Sequence, residues 1–178
     1  LRRRQRQMCI RDRNYKGVIP NPGATGDNNN TDMEDGSQSR LKSKWYLEPV
    51  GPSAMNIGYP EQEFILAEAA LRGWTDDDRE THYLNGIRAA HEFLGVSSAD
   101  TRAYLGHEKV QFKGSDTEKL GKIITEKYLN FFMQGGNEAY FELRRTGYPD
   151  FSAYLTHNTD QIYNDGYLPL RYRYPQSE

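Results

Sequence analysis

The sequence predicts an all-α fold of tetratricopeptide-like helical hairpins connected by long loops. Three observations point there. From Pro60 onward, apolar residues recur at three- and four-residue spacing. The periodic segments stop at glycines: Gly73, Gly95 and Gly147. Residues 14–59, by contrast, show little periodicity and contain "NPGATGDNNNTDMEDGSQS", a Gly, Asn, Asp and Ser run that is loop by composition.

The first helix is expected in "PEQEFILAEAALRG". Proline opens it, glutamate follows in the first turn, where the helix dipole favours a carboxylate, and Gly73 stops it. Phe64, Ala67, Glu68 and Leu71 share a face, and Ala67, Ala69 and Ala70 are small enough to admit a second helix closely. That helix is "DDRETHYLNGIRAAHEFLG". Asp76–Asp78 stand at its start, Tyr83, Ile87, Ala90 and Leu94 form its stripe, and Gly95 ends it. Two helices joined by a short turn make an αα-hairpin. A third helix lies in "SDTEKLGKIITEKYLNFFMQGG", capped by Ser115 or Asp116, with Leu120, Ile123, Ile124, Tyr128 and Phe131 as its stripe. A fourth, short one is "NEAYFELRRTG", with Asn137 as cap, Arg144 and Arg145 in the last turn, Gly147 beyond it and Pro149 following. The end, "YLPLRYRYP", alternates but is broken by proline, so it reads as extended coil packed on the helices. The expected organisation is therefore loop over 14–59, helices over 60–147 and extended coil over 148–178.

The first thirteen residues, "LRRRQRQMCIRDR", stand apart. They hold six arginines and one aspartate, whereas the whole chain carries 23 Lys+Arg and 25 Asp+Glu. The other 165 residues have a net charge of −7, which disfavours a nucleic-acid partner. Residues 3–13 resemble the translation of a transposase-type sequencing adaptor, which reads Arg-Arg-Gln-Arg-Gln-Met-Cys-Ile-Arg-Asp in the same frame. The expectation is that residues 1–13 are an adaptor-derived artefact with no packed structure, and that the chain is a fragment of a metagenomic reading frame. Cys9, the single cysteine, leaves with the arm, and disulfide and zinc-finger readings leave with it. No apolar run is long enough to span a bilayer. Mean hydropathy is −0.91, hydrophilic for a compact domain. Thirteen tyrosines favour an amphipathic surface able to stack on a ligand, or a tyrosine-lined packing interface.

Catalytic motifs are missing. "HEFLG" at His91 and "HEKVQ" at His107 each begin like a zinc-protease helix, but neither has a second histidine four residues on. There is no G-x-S-x-G elbow and no phosphate-binding glycine loop. Glu138 and Glu142 are four apart on one helical face, a geometry open to an acid/base pair. With Arg144 and Arg145 beside them, a structural ion-pair network is the better reading. Asp27, Asn29, Asp32, Glu34 and Asp35 could gather around calcium, but Asp32 and Gln38 occupy the places where an EF-hand needs Gly and Glu, so a solvated loop is favoured. No metal site and no cofactor are expected.

Three segments carry a resemblance: "EFILAEAALRGW…HYLNGIRAA", "KIITEKYLNFFMQGGNEAYFELRRTGYPDF" and "LPLRYRYPQSE". In this order, over Glu63–Glu178, they resemble the C-terminal half of SusD/RagB-type nutrient-binding lipoproteins, with "RRTGYP" and "RYPQSE" the most telling pieces. The resemblance implies a SusD-like helical fold and a surface-exposed outer-membrane lipoprotein. Such a protein would bind a glycan or other nutrient oligomer without catalysis or cofactor, as a lid on a SusC-like TonB-dependent transporter. The family's N-terminal half, with its signal and lipidated cysteine, is not in the sequence, which implies a partial domain. Apolar stripes would then lack partners, and exposure is expected at Tyr83, Ile87, Ile124 or Phe131. The alternative is a tetratricopeptide-like protein-interaction module, although no self-repeat of about 34 residues is present.

Sugars are held by aromatic faces and planar polar side chains. The candidate contacts are Trp45, Tyr46, Trp74, Tyr148, Tyr154 and Tyr163, each of which has packing in a core or loop as its other reading; packing is the favoured reading for Trp74, which follows the helix-ending Gly73, and the two readings stand near even for Trp45 and Tyr46 in the loop region. Arg144 and Arg145 are expected to be structural and to pair with Glu142, Glu138 or Glu68. Glu68 lies on the stripe of Phe64 and Leu71, so it should be buried enough to need a guanidinium reaching across from the fourth helix.

Overall fold

The computed structural model describes residues 45, 47–50, 55 and 57–151. The chain divides into two compact units, Leu1–Tyr15 with Ser39–Pro149, and Lys16–Gln38 with Asp150–Glu178. Among the described residues all the helices belong to the first unit and no strand occurs. The arm 1–13, the loop that raised the calcium question and the C-terminal "YLPLRYRYP" lie outside the described residues.

Helix α1 spans Tyr59–Leu71, with Pro60 in its first turn. Its end is a Schellman motif: Gly73 takes the left-handed conformation at φ 71°, its N–H bonds Ala70 O at 3.1 Å, and the Trp74 N–H bonds Ala69 O at 2.9 Å. Helix α2, Arg79–Leu94, starts at Asp78, whose carboxylate accepts the Glu80 N–H, and ends at left-handed Gly95. The two pack as the expected hairpin. Gly86 of α2 lies against the Phe64 ring so closely that an added Cβ would sit 2.6 Å from it. Helix α4, Asp116–Asn130, opens with a full capping box between Ser115 and Glu118 and packs against α1. Helix α5, Glu138–Thr146, has Asn137 at its cap position, but the Asn137 side chain makes no capping hydrogen bond.

Helix α3, Ser98–Leu105, is one the periodicity did not announce. It is eight residues long, too short for a stripe to repeat. Ser97 caps it, and it buries only Thr101 and Tyr104.

The core is one cluster. Phe64, Ala67, Tyr83, Ile87, Tyr104, Val110, Phe112, Ile123 and Ile124 are all buried in it. Each fully buried large side chain contributes roughly 1.5–3 kcal/mol of apolar transfer. Tyr83 is buried with its hydroxyl satisfied, donating to Val110 O at 2.8 Å. The expected exposure of Tyr83, Ile87, Ile124 or Phe131 is therefore corrected, because all four are buried within this unit. α1 packs against both α2 and α4, and Val110 and Phe112 join the same buried cluster. Exposure falls instead on Tyr128, Leu129, Phe132, Met133 and Phe141, at the end of α4 and on α5.

Candidate functional site

A run of ion pairs links α1, α4 and α5. The Arg145 guanidinium forks onto the Glu68 carboxylate, with Nη1–Oε1 and Nη2–Oε2 both at 2.6 Å, and Nη2 also reaches Glu142 at 2.7 Å. Lys127 of α4 lies 3.3 Å from Glu142 and 3.8 Å from Glu61. Arg72 closes the run, donating from Nε to Glu68 Oε1 at 2.8 Å. Three carboxylates thus alternate with three cations: Glu61, Lys127, Glu142, Arg145, Glu68, Arg72. Burial raises the proton affinity of the Glu68 carboxyl, but the hydrogen bonds from Arg145 and Arg72 outweigh it and hold Glu68 below the usual range. Glu61 shifts the other way. Its burial dominates, Lys127 offsets part of it, and the neighbouring Glu138 and Glu142 add to the rise.

Of the acidic and basic residues singled out from the sequence, the structure brings Glu68, Glu142 and Arg145 together. Glu138 stays exposed, and Arg144 lies over the Tyr140 ring at 5.6 Å. Lys127 and Glu61 were missed. Lys127 falls on the same face as Ile124 and Phe131, and a lysine on a buried stripe needs carboxylate partners. That signal was present in the sequence.

A groove of about 370 Å³ opens beside this network. Its walls are the start of α1 with Glu61, the end of α4 with Asn130 and Phe131, and α5 with Glu138 and Phe141. The corner between α4 and α5 is tightly built: Met133 and Gly136 have φ of 61° and 50°, and a Cβ on Gly135 would meet Phe131 at 2.6 Å. Gln134 Oε1 accepts the Met55 N–H at 3.0 Å, tying the preceding segment to this corner.

The aromatic candidates scatter. Trp45 packs edge-on against Phe132, with ring centroids 6.3 Å apart, just past the end of α4. Trp74 follows the other end of α1, is 71% exposed, and has the Arg72 guanidinium 5.5 Å from its ring. Tyr148 is partly buried and packs on the core beside Gly121. Tyr46, Tyr154 and Tyr163 lie outside the described residues. Trp45 and Trp74 are thus at opposite ends of a 13-residue helix, about 20 Å long, and do not share one site.

The histidines are used locally. His91 is buried against Tyr104 and hydrogen-bonded to Thr101 Oγ1 at 3.1 Å, and burial lowers its proton affinity. The His82 Nδ1 lies 2.7 Å from Glu63. Among the described residues no three His, Cys, Asp or Glu side chains are grouped to hold a metal, and no helix is long and apolar enough to cross a membrane.

Residues 6–175 match the family described as SusD-like, starch-binding and associating with the outer membrane; the match begins inside the arginine-rich arm. Solved structures agree. A SusD homologue from Bacteroides fragilis NCTC 9343 is 31% identical over 90% of this chain and 36% of its own, with a TM-score of 0.74. A second SusD homologue from that strain is 32% identical over 77% of this chain and 32% of its own, with a TM-score of 0.63. A candidate outer-membrane nutrient-binding protein from Bacteroides vulgatus ATCC 8482 is 34% identical over 68% of this chain and 29% of its own, with a TM-score of 0.63. The chain therefore spans about a third of the length of these relatives. No curated protein matches it.

Proposed function

The chain belongs to the SusD-like family, and on that premise we propose that the full-length protein is a non-catalytic binder of glycan or similar nutrient oligomers at the outer membrane. The family match over residues 6–175 carries the reading. We further propose that it is a surface-exposed lipoprotein and delivers its ligand to a SusC-like TonB-dependent transporter. The local chemistry supports binding over turnover. Glu142, which would be half of an acid/base pair with Glu138, is held by Lys127 at 3.3 Å and by Arg145 at 2.7 Å. Both Glu142 oxygens are thus engaged by structural partners, Oε1 by Lys127 and Oε2 by Arg145. The groove offers carboxamides, carboxylates and two phenyl rings, a lining that suits hydroxyl-rich ligands.

Isothermal titration of the full-length protein with a panel of oligosaccharides, followed by product analysis, tests this. Saturable binding with unchanged oligosaccharide is the expected result. Release of shorter sugars that is lost in Glu138→Gln would overturn the non-catalytic reading, and absence of binding across the panel would overturn the glycan.

A further inference from the structure

We propose that Trp74 and Arg72, at the turn between α1 and α2, form a stacking platform for a neutral pyranose ring. The inference rests on the glycan-binding reading and assigns a contact within it. Trp74 is 71% exposed, yet its backbone is fixed by the two hydrogen bonds that close α1. An indole presented on a rigid turn loses little conformational freedom when a ligand stacks on it.

Arg72 is equally well placed. Its Nε is tied to Glu68 at 2.8 Å, and Glu68 is in turn forked by Arg145, so the guanidinium beside the indole is oriented by a buried carboxylate. The Nη atoms of Arg72 make no hydrogen bond to the described residues, and the side chain is 35% exposed. An aromatic face for sugar C–H groups, with planar N–H donors at its edge for hydroxyls, is the pair of contacts a pyranose requires. The charges specify a neutral ring: Glu68 offsets Arg72, and Asp76, Asp77 and Asp78 follow in the same turn, where they would repel a uronate or sulfate. The surroundings disfavour a protein partner. Trp74 is the one large exposed apolar side chain in the turn Arg72–Asp78, whereas protein interfaces centre on a contiguous apolar core.

The test is ¹⁹F NMR of the full-length protein labelled with 5-fluorotryptophan, with the Trp74 resonance assigned by its loss in Trp74→Phe. Maltohexaose is the probe, alongside an oligogalacturonate of similar length. Maltohexaose is expected to shift the Trp74 resonance, and oligogalacturonate is not. Trp74→Ala is expected to weaken maltohexaose binding by at least about tenfold, and Arg72→Gln by a smaller factor, without change in melting behaviour beyond a few degrees. Maltohexaose binding with the Trp74 resonance unmoved would overturn this inference and leave the broader function standing. So would a Trp74 resonance already shielded from solvent in the free full-length protein, which would make the indole a packing contact. Binding of charged oligosaccharides alone would also overturn this inference and leave the broader function standing, whereas no binding of any oligosaccharide, neutral or charged, would overturn the glycan reading together with it.

Discussion

Glu68 accepts from two guanidiniums at once, and what each arginine does is measurable. Arg145 forks onto both oxygens, whereas Arg72 offers only Nε. Glu68 is 6% exposed, but the Arg145 side chain is 43% exposed. The loss on Arg145→Ala should therefore fall below the ~3–5 kcal/mol of a fully buried pair, at about 2 kcal/mol. Arg145→Lys should restore only part of it, because one ammonium cannot reproduce the fork. Thermal melts of the full-length variants read the loss. If Arg145→Ala keeps its stability and loses ligand binding instead, Arg145 faces the ligand. The folded Glu68 carboxyl lies below its free range, so this stability is complete above about pH 4.5 and is lost as pH falls through the lowered value. A second residue gives the opposite sign of change. Thr75 Oγ1 is buried without a hydrogen-bond partner among the described residues, so Thr75→Val should raise stability by about 1 kcal/mol. A lower melting temperature would show that the hydroxyl has a partner. The place of Glu68 on the stripe of Phe64 and Leu71 was enough to mark it, from sequence, as a carboxylate needing a cation. Lys127 bears the same mark, since it stands on the face of Ile124 and Phe131, where a buried lysine needs carboxylate partners.

At the scale of the element, what could be read was what local chemistry decides. Pro60, Ser115, Gly95 and Gly147 act within one turn of where they stand, and their helices begin or end there. Helix α3 could not be read, since its two buried residues, Thr101 and Tyr104, are chosen by tertiary partners. Thr101 meets His91, and the Tyr104 hydroxyl donates to both Glu126 oxygens, at 2.9 and 3.0 Å. The fastening of α3 should therefore respond to pH. Burial holds His91 below the ~6.5 of a free imidazole, so the unfolded chain takes up the proton first. The stability is complete above about pH 6.5 and declines below it. Melting temperature should drop between about pH 7.5 and 5.5, and His91→Gln should flatten that drop. Parallel slopes in the two proteins would assign the pH response elsewhere. The α1–α2 hairpin makes a sharper test. Gly86→Ala would place a methyl 2.6 Å from the Phe64 ring, at the centre of the core. Displacing that ring should cost about 1–3 kcal/mol. An unchanged melt would mean that the two helices separate without resistance.

At the scale of the molecule, the ordered motifs from Glu63 onward were enough to indicate the family, because a ligand-binding scaffold repeats its packing chemistry even where its contacts vary. Which aromatic residues stand exposed was not legible in the same way. Trp45 and Tyr148 carry the same aromatic chemistry as Trp74, yet one packs on Phe132 and the other on the core, and only the fold separates them. The fold also decides which apolar surface is left over. Most of the stripe residues of α1, α2 and α4 are buried or packed on one core within the first unit, Tyr128 being the exposed exception. Tyr128 and Leu129 in the last turn of α4 and Phe132 just past it remain 39–41% exposed, with Met133 and Phe141 at 55% and 44%. Exposed apolar residues gathered at one corner favour association when nothing covers them. The 178-residue chain by itself should therefore unfold cooperatively and yet self-associate, with sedimentation velocity showing species that grow with concentration. Phe132→Ser combined with Phe141→Ser should return it to a monomer with little change in melting, since neither ring belongs to the buried cluster. Monomeric behaviour of the unsubstituted chain at high concentration would show that this corner is covered from within. Association that persists in the double variant would place the sticky surface elsewhere, with Leu47, Val50 and Ile57 the next exposed residues to test.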